Sequence, residues 1–181
     1  MFASNTSQVS ADQLFIEDVF STYLYTGNGS TQTITNGIDL AGKGGMVWFK
    51  SRTNAAANHL LYDTNRGATA ALFPNLTNAT QTTSTGLTAF GPSGFDIGSS
   101  LGLNESAAAI ASWTFRKAPK FFDVVTYTGT GTAHNIAHSL GVVPGCIIVK
   151  RTDTTGNWPV YHKDLNSAGN CLLYTSPSPR D

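Results

Sequence analysis

The residues with acid, base or metal-binding chemistry are few and do not group. Glu17 and Glu105 are the only glutamates, and a glycosidase needs two carboxyl groups facing each other across a bond. The local pattern puts Glu17 at the start of a strand and Glu105 in a turn, and nothing pairs them. Asp39, Asp63 and Asp96 fall near strand ends, where they could supply oxygen ligands, but no closely spaced acidic loop of the calcium-binding kind surrounds them. They read as turn and solvation residues. Of the four histidines, His59, His134, His138 and His162, the pair His134 and His138 has helical spacing. Its surroundings read as strand or turn, which would hold the two rings far apart, and the residue after His134 is Asn135, not the glutamate of a metalloprotease. Ser93, in Gly91-Pro92-Ser93-Gly94, lacks nucleophile-elbow spacing. Gly27, Gly29, Gly129 and Gly131 have no following lysine or helix, so they are turn glycines and not a phosphate loop. The expectation is no catalytic residue, no metal, no cofactor and no enzyme.

Binding chemistry has one candidate, Trp158, whose indole, if exposed, could stack on a sugar ring. Tyr25, Tyr62, Tyr127 and Tyr161 read as core or turn supports. Arg116, Lys117 and Lys120 form the one basic cluster and read as solvating a linker. Formal net charge is +0 with scattered basic residues, so the field that draws a protein to nucleic acid or anionic lipid is missing. No apolar run approaches the eighteen or more residues that suggest a membrane helix, and Met1 to Gln8 lacks a basic region followed by an apolar one. The expectation is a chain made without a signal peptide and not inserted in a membrane. Five Asn-x-Ser/Thr triplets follow from a composition rich in both residue types.

These residues must be positioned by a repeated unit. Tyr25-Thr26-Gly27-Asn28-Gly29-Ser30 returns as Tyr127-Thr128-Gly129-Thr130-Gly131-Thr132, 127 − 25 = 102 residues later. Each copy continues with an isoleucine (Ile34, Ile136) and an apolar run ending in lysine, Met46 to Lys50 and Cys146 to Lys150. Leu61-Tyr62-Asp63 then matches Val160-Tyr161-His162, and Trp158 stands opposite His59. A period near one hundred residues suits a small domain with its own core better than a solenoid unit.

Charged residues are 12% of the chain, about half the usual share, and Thr, Ser, Asn and Gly replace them. That composition suits short strands and tight turns. Strands are expected within Leu14 to Tyr25, Met46 to Phe49 (central and buried on both faces), Leu60 to Asp63, Leu87 to Phe90, Gly94 to Ile97, Ala108 to Arg116 and, opening the second copy, Phe121 to Tyr127. Thr31 to Leu40 should be exposed on one face, and Asn75 to Gly86 should be a surface loop. The fold class is therefore all-β, an antiparallel β-sandwich. The division is a linker at 1–13, a first repeat at 14–119 and a partial second repeat at 120–170. Residues 171–181 resemble one reading frame of a transposase-type sequencing-library adapter and are set aside as an artefact. The truncated second copy should make the full chain less soluble than residues 14–119 alone. Cys146 is then the native cysteine, expected to act as a buried small hydrophobe.

Taken together, Tyr25 to Ser30, Gly44 to Lys50, Tyr62 to Gly67, Ser112 to Pro119 and Val149 to Asp153 resemble a tandem-repeat domain of tailed-bacteriophage structural proteins, marine phages especially. The resemblance spans roughly residues 14 to 170. It implies a concanavalin-like or jelly-roll sandwich in a non-enzymatic virion appendage such as a tail fibre. Implied partners are other virion proteins and a host surface glycan, with homo-oligomers by analogy to fibres. The alternative is a carbohydrate-binding module of a larger extracellular protein or enzyme. The resemblance carries no binding residues with it.

Overall fold

The computed structural model describes residues 14–164 and 171–172. The linker expected at 1–13, and the adapter-like stretch apart from Cys171 and Leu172, lie outside the described residues. In chain order the elements are α1 (Ile16–Val19), β1 (Phe20–Thr26), β2 (Gln32–Thr35), β3 (Gly45–Ser51), β4 (Leu60–Asp63), β5 (Ala70–Ala71), β6 (Gln81–Thr82), β7 (Leu87–Gly91), β8 (Gly94–Ile97), α2 (Leu101–Asn104), β9 (Ala109–Arg116), β10 (Cys146–Ile148), β11 (Pro159–His162) and β12 (Cys171–Leu172). Several details differ from expectation. Glu17 lies in a helical turn, held by the Asp18 carboxylate accepting from the Phe15 N–H at 3.0 Å. The loop after Asn75 contains β6, which pairs with β5. The stretch before Glu105 contains α2.

Two antiparallel sheets, in the orders β1-β9-β3-β4 and β2-β8-β7, face each other. Period-2 alternation decides what each strand buries. On β3, Gly45, Val47, Phe49 and Ser51 point inward and are buried, while Met46, Trp48 and Lys50 point outward and are half-buried. Phe49 joins the sheets, with its ring 5.2 Å from Phe95 of β8 and 6.0 Å from Tyr62 of β4, both edge-on. Ile34, Ile38, Leu40, Leu87, Ile97 and Ile110 complete the core around it. Each large apolar side chain buried this way contributes about 1.5–3 kcal/mol.

The unit closes by pairing its first strand with its last. β1 runs against β9 from Phe20↔Phe115 to Thr26↔Ala109. The Tyr-Thr-Gly-Asn-Gly turn after β1 is held by α2 and the residues around it. Asn104, fully buried, accepts from the Asn28 N–H at 2.9 Å and donates to the Gly98 carbonyl at 2.8 Å, to Asn28 Oδ1 and to the Ser30 carbonyl. The Gly27 N–H donates to the Ala108 carbonyl, and a Cβ at Gly27 would collide with the Glu105 carbonyl oxygen. The turn glycine is therefore required by close backbone approach.

The second copy repeats the β3–β4 hairpin in the same register. Val47↔Tyr62 and Trp48↔Leu61 are matched by Ile147↔Tyr161 and Ile148↔Val160. The bridge Leu61↔Leu72 is matched by Val160↔Cys171, so Cys171 holds the backbone place of Leu72. The Thr64 N–H bonded to the Gly45 carbonyl has its counterpart in Lys163 and Gly145. The strand-end lysine does the same work in both: Lys50 Nζ donates to the Ala57 carbonyl at 2.6 Å, and Lys150 Nζ to the Gly156 carbonyl at 2.8 Å. Each ties down the loop of its own hairpin.

The expected opening strand of the second copy is absent. Residues 123–130 form no strand, and neither do residues 132–137, where the counterpart of β2 would lie. The physical reason is partnering: β1 pairs only with β9 and β2 only with β8, and no counterparts of β8 and β9 occur among the described residues. Strands whose partners lie among the described residues form, and the others do not. Cys146 is likewise exposed, not buried, because it sits at the start of this uncovered hairpin.

Candidate functional site

The sandwich holds the expected chemical residues apart. Glu17 precedes Phe20 at one end of β1, whereas Glu105 lies beside Asn54 at the other, donated to by Asn54 Nδ2 at 3.2 Å. Seven strand residues separate them, about 20 Å, far beyond the spacing that two glycosidase carboxyls use. Asp39 accepts from the Gly42 N–H, Asp96 from the Thr33 hydroxyl, and Asp63 from the Asn65 and Arg66 N–H groups and the Arg66 guanidinium at 2.6 Å. Each aspartate is committed to its own turn or strand pair. His134 bonds within its own turn to Thr130 and the Thr132 carbonyl. Among the described residues no three His, Cys, Asp or Glu side chains stand together.

One open cleft of about 340 Å³ does gather an acid, a base and a hydroxyl, at the junction of the copies: Lys117, Asp123, His138, Ser139 and Asn65 line it. Their bonding is that of a latch. Ser139 donates both its N–H (2.7 Å) and its hydroxyl (2.8 Å) to Asp123, whose other oxygen meets Lys117 Nζ at 3.0 Å. Burial pushes the Asp123 carboxyl up, but the Ser139 N–H, Lys117 and the Ser139 hydroxyl outweigh it and hold it at about 2. So weak a base does not activate a serine. His138 Nδ1 accepts from the Leu140 N–H and makes no bond to Ser139. Lys117 also donates to the Val124 carbonyl. The basic cluster expected to solvate a linker instead anchors the start of the second copy through Lys117.

The feature best suited to ligand contact is the outer face of the four-stranded sheet. Cross-strand register sets Thr22, Trp113, Trp48 and Leu61 side by side across β1, β9, β3 and β4. The Trp48 and Trp113 rings lie 6.5 Å apart at 74°. Trp48 is fixed in place by its indole N–H donating to His59 Nδ1 at 3.0 Å, while the His59 backbone N–H donates to Asn75 Oδ1 at 3.0 Å. Burial, and then the Lys50 charge, lower the His59 pKa, keeping the ring neutral so that Nδ1 can accept. Leu24 is 58% exposed beside this row and Thr22 is exposed, while Trp48 and Trp113 are half-buried. The next row, Phe20, Phe115 and Met46, is partly covered by Phe121 and Phe122 stacking on Phe115. What stays open is a short aromatic tray edged by a hydroxyl, an imidazole and amides.

A family model described as Domain of unknown function (DUF7483) matches residues 17–178. The chain belongs to the DUF7483 family. No curated protein and no solved structure matches it. The DUF7483 match crosses the junction at Pro119 and runs into the adapter-like stretch, so it takes in both copies of the repeat.

Within this DUF7483 chain Trp158 is not the exposed aromatic expected. It is 3% exposed, packed on Leu61 and Leu72 with Met46 and Trp48 alongside. Its N–H donates to the Leu76 carbonyl at 2.9 Å, and Lys150 Nζ lies 5.7 Å above the ring. The hairpin loop carrying it interlocks with the loop after β5: Lys150 Nζ and the Gly156 N–H donate to the Thr77 carbonyl, and the Thr80 N–H donates to the Thr152 carbonyl. Trp158 is the key of the joint between copies, because the apolar outer edge of β4 needs a cover. The sequence reading passed over Trp48 and Trp113. The available signal was alternation: Met46, Trp48 and Lys50 share one face, as do Trp113 and Phe115. Taking Met46 to Phe49 as buried on both faces absorbed Trp48 into the core.

Proposed function

We propose that this chain is a non-enzymatic virion appendage of the tail-fibre kind, whose serial sandwiches extend a stalk and present the Trp48–Trp113 tray to a host surface glycan. The tray is the observation that carries the reading. A sheet face carrying two half-buried indoles, with Trp48 held by His59 and polar groups beside it, offers a pyranose ring apolar surface and hydrogen bonds together. Support for the stalk comes from the joint, where Trp158 and the Lys117–Asp123 pair hold one unit against the next. The scattered acids, with Asp39 and Asp63 bonded in turns and Asp96 across a strand pair, favour binding over turnover. On this reading the protein acts in the virion tail, beside other virion proteins. A carbohydrate-binding module of a larger extracellular protein is the second reading, favoured by the same tray.

A glycan array of bacterial envelope polysaccharides and plant or algal polymers, probed with the full chain, tests this. Binding confined to envelope polysaccharides and reduced by Trp113→Ala is the expected result. Binding to storage or wall polymers instead would favour the second reading, and no binding to any glycan would remove the recognition role.

A further inference from the structure

The sheet face that bears Trp48 and Trp113 carries uncompensated charge of one sign. Alternation decides which side chains reach it. Along β1 and β9, from Phe20↔Phe115 to Thr26↔Ala109, every outward residue is apolar or a threonine. Asp63 shares a row with Met46 on this face, but the Arg66 guanidinium claims it at 2.6 Å. β3 contributes Lys50, two residues past Trp48. The ladder then runs on to Arg52, whose backbone N–H donates to the Ala109 carbonyl at 2.7 Å, so its side chain follows Lys50 on the same face. Lys50 Nζ is held by the Asn54 and Ala57 carbonyls at 3.4 and 2.6 Å, with no acid against it. Arg52 is exposed, and its guanidinium has no partner among the described residues. Glu105, beside the same loop, accepts from the neutral Asn54 amide at 3.2 Å and from neither cation. His59 adds a donor: its Nδ1 accepts from the Trp48 indole, so the proton of the neutral ring sits on Nε2.

We infer that the Trp48–Trp113 tray takes an acidic polysaccharide, with a uronic acid ring on the indoles and carboxylates directed toward Lys50 and Arg52. The inference rests on the reading of the tray as a glycan site and names the class of glycan. Two strand residues span about 6.6–6.8 Å, so Lys50 lies about that far from Trp48 along β3 and Arg52 about 13 Å away. The first separation is within the Debye length of about 8 Å at physiological salt. Lys50, already bonded to carbonyls, acts through its charge. Arg52 has its planar fork free for bidentate contact with the carboxylate of a sugar further along the polymer. Formal net charge is +0, so the attraction belongs to this face and not to the protein as a whole. Two cations are few for a nucleic acid, which carries a phosphate on every nucleotide, and the sugar polymer is the better match.

The probes are polygalacturonate and polyglucuronate, each beside its methyl ester, which keeps the sugar ring and removes the charge. Isothermal titration of the full chain should show at least one acid form binding about fivefold or more tighter than its ester at low salt, with the difference shrinking as salt rises. Arg52→Gln should weaken binding of that acid about threefold or more. Lys43→Gln removes an equal charge from an exposed site before the other end of β3 and should leave it unchanged. Esters bound as tightly as the acids overturn the inference and leave the glycan reading standing. Equal effects of Arg52→Gln and Lys43→Gln, or tighter binding of a single-stranded oligonucleotide, also overturn it. So does failure of both acids and both esters to bind, whereas only a blank glycan array removes the reading of the tray itself.

Discussion

The Tyr25 hydroxyl donates to the Leu103 carbonyl at 2.6 Å, tying the end of the first strand to the helical turn that precedes the last. Burial pushes its pKa up, so the phenol stays protonated and able to donate. Together with the Asn104 hub, this bond closes the sandwich between residues far apart in sequence. Asn104→Ala leaves the Asn28 N–H and the Gly98 carbonyl without their partner in a buried site, and should cost about 3 kcal/mol. That corresponds to a fall in Tm of roughly 10–20 °C for a domain of this size. Differential scanning calorimetry checks it; a change within a degree or two would show that the hub is not needed.

The repeated turn gives a paired comparison. Gly27→Ala forces a Cβ into the Glu105 carbonyl, whereas a Cβ at Gly129 meets nothing within 4 Å. The first substitution should destabilise by about 2 kcal/mol or more, and the second should stay within about 0.5 kcal/mol. Equal effects in chemical denaturation would contradict the assignment of Gly27 to a closed turn and Gly129 to an open one.

Removing Trp158 should release the joint. A buried Trp→Ala change costs about 3–5 kcal/mol, and Trp158 is the hairpin residue buried against Leu61 and Leu72 of the first copy. Hydrogen exchange should accelerate at Cys146 to Ile148 and Pro159 to His162 while β3 and β9 keep their protection. Unchanged exchange in Trp158→Ala would mean that the backbone bonds at Thr77 and Thr152 suffice alone.

Two steps should appear on acidification. The lowered pKa of His59 means that protonation favours the unfolded chain. Its contribution is therefore present above the ordinary value of about 6.5 and is lost as pH falls through the lower folded value. Asp123, held at about 2, contributes stability present above about 3.9 and lost between there and about pH 2. Stability measured against pH should lose the first step in His59→Asn and the second in Asp123→Asn. A profile identical to that of the unaltered chain would refute the corresponding assignment.

The sandwich was legible because its strands alternate plainly: Val47 and Phe49 inward, the turn glycines between, and a composition poor in charge. The repeat was legible because Tyr25 to Ser30 recurs almost residue for residue. Loss of the strand at 121–127 was not, since a strand's own pattern says nothing of whether its partner exists. Trp158 misled for a related reason. Standing opposite His59 in the repeat, it looked free of the shared architecture, yet that difference is what lets it bridge the copies. Trp48 and Trp113 come together only through the β3–β9 register, which separates them by 65 positions in sequence, a distance no local pattern spans.

The most direct test of the proposed recognition role is tryptophan emission of the full chain titrated with purified bacterial-envelope polysaccharide, against Trp113→Ala under the same conditions. Saturable quenching or shift, weakened about tenfold or more by the substitution, is the predicted result. Absence of a saturable change in the unaltered chain, or equal affinity in Trp113→Ala, would contradict the assignment of the aromatic tray as a binding face.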